Sequence, residues 1–148
     1  MKKVKESYEP LFAPGFHGVP FENLKERLTE LLVVPFSNKT RRQLLLQRLL
    51  ELLEEMETFG DAGIFVEMWI DGSFVTKKEV PNDVDIVIVY ATGTDVNQKL
   101  KDHDMLAKRY CCDVLLVESA DTFTQELYQE VFGKGHDGSQ KGMIRVRF

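Results

Sequence analysis

WIDGSFVTKKEVPNDVDIVIVY, residues 69–90, places a hydrophobic strand, a Gly-Ser pair, a short loop and a second hydrophobic strand in immediate succession. Within it, residues 84–90 (VDIVIVY) are β-branched or aromatic apart from one Asp, which is the composition of a buried strand. Side chains alternate between faces along a strand, so Asp83 and Asp85 share one face. Val84, Ile86, Ile88 and Tyr90 then point the other way, into a core. Two carboxylates two strand steps apart, roughly 6–7 Å along the chain, repel unless a cation lies between them. That spacing suits one shared metal, or two ions about 3.5–4 Å apart as in phosphoryl-transfer sites. Pro81-Asn82-Asp83 is a good turn by itself, so Asp83 alone decides little. Asp85 decides more, because a lone carboxylate among Val and Ile is costly.

Working outward, residues 64–70 (IFVEMWI) form the strand that delivers Gly72-Ser73. Before it, NKTRRQLLLQRLLELLEEMETFG has leucines at 45, 49, 52 and 46, 50, 53, a wide apolar stripe on a helix. Ser37 or Asn38 can cap that helix, and Gly60 follows its end. Arg41 and Arg42 in its first turn read as a solvated face, with the cleft as the alternative. PFENLKERLTELL (20–32) puts Phe21, Leu24, Leu28, Leu31 and Leu32 on one helical face, with Pro20 in the first turn and Pro35 as the stop. Residues 1–18 read as an irregular arm pinned by Phe12 and Phe16.

Downstream, Thr94 or Asp95 can cap a half-exposed helix over VNQKLKDHDMLAKRY, and 111–117 (CCDVLLV) is a third buried strand. A Thr122-to-Gln125 capping box opens a helix with Phe123, Leu127 and Val131 at four-residue spacing, ended by Gly133. GKGHDGSQKG (133–142) reads as a flexible loop, and MIRVRF as a closing strand. The sum is a mixed β-sheet flanked by helices, of the α/β or α+β class, expected as a single domain over 1–148.

A formal net charge of −5 argues against a general nucleic-acid coat protein. No apolar run nears the roughly 20 residues that span a bilayer, and the N-terminus lacks a signal peptide's apolar region. Cys111 and Cys112 are adjacent, a spacing poor for a disulfide or a metal, so they read as core thiols in a reducing cytoplasm. His17, His103 and His136 show no ligand spacing. Trp69 reads as core or cleft wall, with stacking on a base as the alternative.

An apolar strand, Gly-Ser, nine residues and Asp-x-Asp on a second apolar strand resembles the signature of the polymerase-β-like nucleotidyltransferases. The wording GSFVTKKEVPNDVDIVIV after a Leu-rich helix more closely resembles a small bacterial and phage family within that superfamily. The resemblance implies that Gly72 and Ser73 meet the triphosphate of an NTP substrate, and that Asp83 and Asp85 bind Mg²⁺ or Mn²⁺. A third acid comes from a later strand. Here Asp113 matches best, with Glu118 a weaker candidate. Lys77 or Lys78, in the loop between the motif halves, can touch the triphosphate or simply be solvated. Lys134, His136, Lys141, Arg145 and Arg147 are candidates for phosphate or acceptor contacts.

The activity so implied is two-metal transfer of a nucleoside monophosphate to a hydroxyl on a protein, an RNA end or a small molecule, releasing pyrophosphate. A toxin–antitoxin or defence setting fits small members of this kind. No separate base-binding or acceptor domain is legible in this sequence, so a homodimer or a partner protein is expected to complete the cleft. An inactive nucleotide-binding module of the same fold is the alternative, and measurable pyrophosphate release separates the two.

Overall fold

A computed structural model describes residues 8–57, 64–92, 110–134, 138 and 140–148. In chain order the elements are β1 (Gly15–Pro20), α1 (Leu24–Leu32), α2 (Thr40–Glu57), β2 (Phe65–Asp71), a 3-10 turn (Gly72–Val75), β3 (Val84–Tyr90), β4 (Cys112–Glu118), α3 (Thr122–Phe132) and β5 (Gly142–Arg147). The strands form one mixed sheet in the order β1-β5-β2-β3-β4. β1 runs parallel to β5 and β3 parallel to β4, while β2 is antiparallel to both of its neighbours. This is an α+β architecture, as expected.

The alternation read in β3 holds. Val84, Ile86, Ile88 and Tyr90 join Met68, Ile70, Ile144 and Val146 in a core under α1 and α2. That core takes Leu24, Leu28 and Leu32 from α1, and Leu45, Leu46, Leu49, Leu52, Leu53 and Met56 from α2. Burying a single leucine is worth roughly 1.5–3 kcal/mol, so these two helices supply much of the stability. The opposite face buries Trp69, Val87, Val89 and Val117 against Phe16, Tyr128 and Phe132.

Four expectations change. The arm over 1–18 contains a strand, because residues 15–20 add in parallel to β5 and Phe16 packs at 5.1 Å on Trp69. Pro20 therefore closes β1 instead of opening α1, and Phe21 lies outside the helix, 41% exposed. Ser37 and Asn38 do not cap α2; the Ser37 hydroxyl and the Asn38 N–H both donate to Glu79. In α3 the cap is Asp121, which accepts from the Thr124 N–H at 3.0 Å, and Phe123, Leu127 and Val131 face outward. Tyr128 and Phe132 turn inward instead, packing on the Trp69, Val87, Val89 and Val117 face of the sheet. The expected helix after Thr94, the Gly60 stop, His103 and His136 lie outside the described residues. None of the described helices is long and apolar enough to cross a membrane.

Arg42 is the largest correction. It is 0% exposed instead of solvated, and its guanidinium donates to four carbonyls. Nη1 reaches Leu32 O at 3.0 Å and Phe74 O at 2.8 Å; Nη2 reaches Thr76 O at 2.8 Å and Lys78 O at 2.7 Å. The plane lies 3.5 Å from the Phe36 ring centroid. Burial lowers its pKa to about 10, so it remains charged at neutral pH. Arg41 continues the clamp, donating to Pro81 O at 3.1 Å and Asn82 O at 2.6 Å. The first turn of α2 thus holds the loop that joins Gly72-Ser73 to Asp83.

Candidate active site

Register brings the acids together. β2 ends where β3 begins, and Asp71 pairs with Asp85 across the antiparallel ladder. β4 lies parallel on the other side of β3, and there Asp85 pairs with Asp113. Three adjacent strands thus present Asp71, Asp85 and Asp113 in one row on the face away from α1 and α2. Asp83, one residue before β3, shares that face. Ligand oxygens of Asp83, Asp85 and Asp113 all lie within 4.8 Å of one another. Asp83 and Asp85 are half-buried and Asp113 is exposed, so the cluster opens to solvent on the β4 side.

Gly72 begins the 3-10 turn with φ +78°, a conformation that favours glycine, and a Cβ there would lie 2.0 Å from Asp85 Oδ2. The absent side chain is what lets the turn and the carboxylate touch. Ser73 follows, half-buried, its carbonyl accepting from the Thr76 N–H at 3.1 Å and the Thr76 hydroxyl at 2.7 Å. A cavity of ≈ 190 Å³ abuts the row, lined by Asp71, Asp85, Asp113, Val87, Leu115 and Phe132.

The crowded acids repel one another, and a bound cation could relieve that repulsion. Burial first, then Asp83, Asp113 and Asp71, push the Asp85 carboxyl up to about 6. Burial also raises Asp71, against the opposing pull of Lys141. Oxygen-only donors in this arrangement suit a hard divalent ion such as Mg²⁺ or Mn²⁺. Asp83, Asp85 and Asp113 fit such an ion, so the metal-capable cluster is the one read from the sequence. Cys112, beside the acids, has its thiol pushed up to about 12, chiefly by burial, and is no nucleophile.

Because Asp85 is raised from 3.8 to about 6, the folded chain holds its proton more tightly than the unfolded chain does. Its contribution to stability is therefore greatest in acid, falls as pH rises from about 4 to about 6, and is flat above. We expect urea denaturation in EDTA to show this fall, and Asp85→Asn to remove it. Identical pH profiles for the two proteins would contradict the crowding of the four acids.

Other sequence candidates lie elsewhere. Lys77 is exposed and bridges Glu9 at 2.7 Å instead of joining the acids, because the N-terminal segment runs beside its loop. The Lys78 ammonium stands 5.3 Å over the Tyr8 ring. Glu118 ends β4 beside Tyr90, at the far end of the strand from the cluster. Lys134 pairs with Glu130, Arg147 with Glu67, and Arg145 packs over Phe16.

One residue of the site, Asp71, was not assigned to it from the sequence, and Lys141 was read only as one of several basic candidates for phosphate or acceptor contacts. Asp71, in IDGS, reads as an ordinary turn acid, and only its register with Asp85 reveals its place. Lys141 lies in a Gly- and Lys-rich segment, yet its Nζ stands 3.1 Å from Asp71 Oδ1, with side chains only 11% and 4% exposed.

A family model matches residues 5–147, nearly the whole chain. The chain belongs to the family of unknown function DUF6932. No curated protein matches the sequence. Among solved structures, a crystal structure of a "putative nucleotidyltransferase" from Sulfolobus solfataricus is similar at 18% identity and a TM-score of 0.42. The similarity covers 57% of this chain and 76% of that one.

Proposed function

We propose that this DUF6932 chain is a metal-dependent nucleotidyltransferase that moves a nucleoside monophosphate from an NTP to a hydroxyl acceptor. One observation carries the reading: three carboxylates converge within 4.8 Å, beside a glycine turn that only a missing Cβ allows.

Bound Mg²⁺ or Mn²⁺ would neutralise the triphosphate and lower the pKa of the attacking hydroxyl. Asp83 and Asp85, at the head of β3, would hold it from the nucleotide side. Asp113, at the open β4 edge, faces the side from which an acceptor enters. Gly72 lets the backbone approach phosphate oxygens, and Ser73 offers a hydroxyl to them. The acceptor oxygen forms a bond to the α-phosphorus while the bond from that phosphorus to the bridging oxygen of the β-phosphate breaks. Pyrophosphate leaves with the electron pair, and the hydroxyl proton passes to solvent through Asp113, the exposed acid of the cluster. The chain's contribution is positioning and charge complementarity, which are the main levers in phosphoryl transfer.

Metal-dependent pyrophosphate release from at least one of the four NTPs is the expected result, lost with EDTA and restored by Mn²⁺. Nucleotide binding without any release, across protein, RNA and small-molecule acceptors, would favour the inactive module.

A further inference from the structure

Among the described residues, Lys141 is the cation paired with an acid of the row. Its ammonium meets Asp71 Oδ1 at 3.1 Å, but outside hydrogen-bond geometry, so that buried oxygen has no hydrogen-bond partner. An optimised structural ion pair would satisfy both groups, since a buried polar atom left unbonded is costly. This pair is close, dry and unfinished. Asp71 is also the residue before Gly72, whose backbone N–H favours its charged form. The ammonium therefore stands at the junction of the glycine turn and the acid row. Asp71 lines the ≈ 190 Å³ cavity, while Lys141 lines a second one of ≈ 240 Å³ that includes Phe16, Gln129, Lys134 and Gln140.

We propose that Lys141 binds the phosphate tail of the nucleotide, and that Asp71 is the partner that holds its ammonium in place before the nucleotide arrives. This rests on the nucleotidyltransferase reading above and adds a phosphate ligand to it. A lysine carries three rotatable donors on a flexible stem, so it can turn from one carboxylate oxygen to a phosphate oxygen without backbone movement. Asp71 is fixed by its place in β2, immediately before the Gly72 turn, while the lysine moves. Asp71 is thus a positioning residue, and Lys141 the one that touches substrate.

The test uses inorganic tripolyphosphate with Mn²⁺, which removes any dependence on the base. Calorimetry should show Lys141→Met weakening Mn²⁺-tripolyphosphate binding roughly 10- to 100-fold, the worth of one or two charge-assisted contacts. Lys141→Arg should recover most of it. Mn²⁺ binding without the phosphate, counted by electron paramagnetic resonance, should be unchanged or tighter in Lys141→Met, because a competing cation is gone. Equal tripolyphosphate affinity in wild type and Lys141→Met would overturn the proposal and leave the nucleotidyltransferase reading standing. Parallel loss of Mn²⁺ and tripolyphosphate would reduce Lys141 to a structural role and overturn it too. A wild type that binds neither would sink the underlying reading first.

Discussion

Arg42→Met is expected to lower the unfolding free energy by about 4 kcal/mol, the range for stripping one partner from a buried charged network. In a chain of this size that lowers the melting temperature by roughly 10 °C. The methionine fills most of the space, so the loss comes from polar groups. The carbonyls of Leu32, Phe74, Thr76 and Lys78 lose their donor while buried beside Phe36 and Phe74. Arg42→Lys should recover only part, since one ammonium cannot span four acceptors set around a planar fork. The consequence extends to the site, because three of those carbonyls belong to the loop between Gly72-Ser73 and Asp83. Thermal melts of the two variants check this; a Met variant within about 1 kcal/mol of wild type would show that water replaces the guanidinium.

Asp85→Asn should move function and stability in opposite directions. The side chain keeps its shape and loses a charge that three neighbouring acids oppose. In EDTA at neutral pH the variant is therefore expected to be more stable than wild type. The same change removes the central carboxylate of the cluster, and Mn²⁺ affinity should fall by more than the roughly 10–100-fold that an outer-shell change costs. A residue retained for packing would behave the other way, losing stability without affecting metal. Denaturation in EDTA together with Mn²⁺ titration distinguishes the two. A variant that binds Mn²⁺ like wild type would remove Asp85 from the site.

Much of the site was legible because its acids break strong local patterns. Asp85 interrupts Val and Ile and so stands out against a run that would otherwise exclude it, whereas Asp113 opens a strand expected to be buried that instead lies at the sheet edge, with Asp113 and Leu115 exposed. Parallel pairing of β3 with β4 then set Asp85 opposite Asp113, a register that no local pattern encodes. Asp71 was hidden because an acid before Gly-Ser is what any turn would carry. Lys141 was read only among the basic candidates of the C-terminal segment, without its partner, since it is brought to Asp71 by β5 pairing with β2 from more than sixty residues away in sequence.

The fold shows the same division. The leucines of α2 repeat at helical spacing and face the core as read. Arg42 sits among polar neighbours and looks solvated until the loop wraps over it. β1 escaped notice because Gly15, His17, Gly18 and Pro20 dilute its strand signal, and parallel pairing with β5 supplies what composition does not. In α3, period alone could not choose between Phe123-Leu127-Val131 and the Tyr128–Phe132 face; packing on Trp69 and Val117 did.

The central claim is that Asp83, Asp85 and Asp113 together hold a divalent metal. Crystals soaked in Mn²⁺ and a non-hydrolysable NTP, measured at the manganese absorption edge, test it most directly. The account predicts an anomalous peak bounded by oxygens of all three carboxylates, with the phosphates on the Gly72-Ser73 side. A peak absent from that cluster, with Mn²⁺ bound elsewhere or not at all, would contradict it.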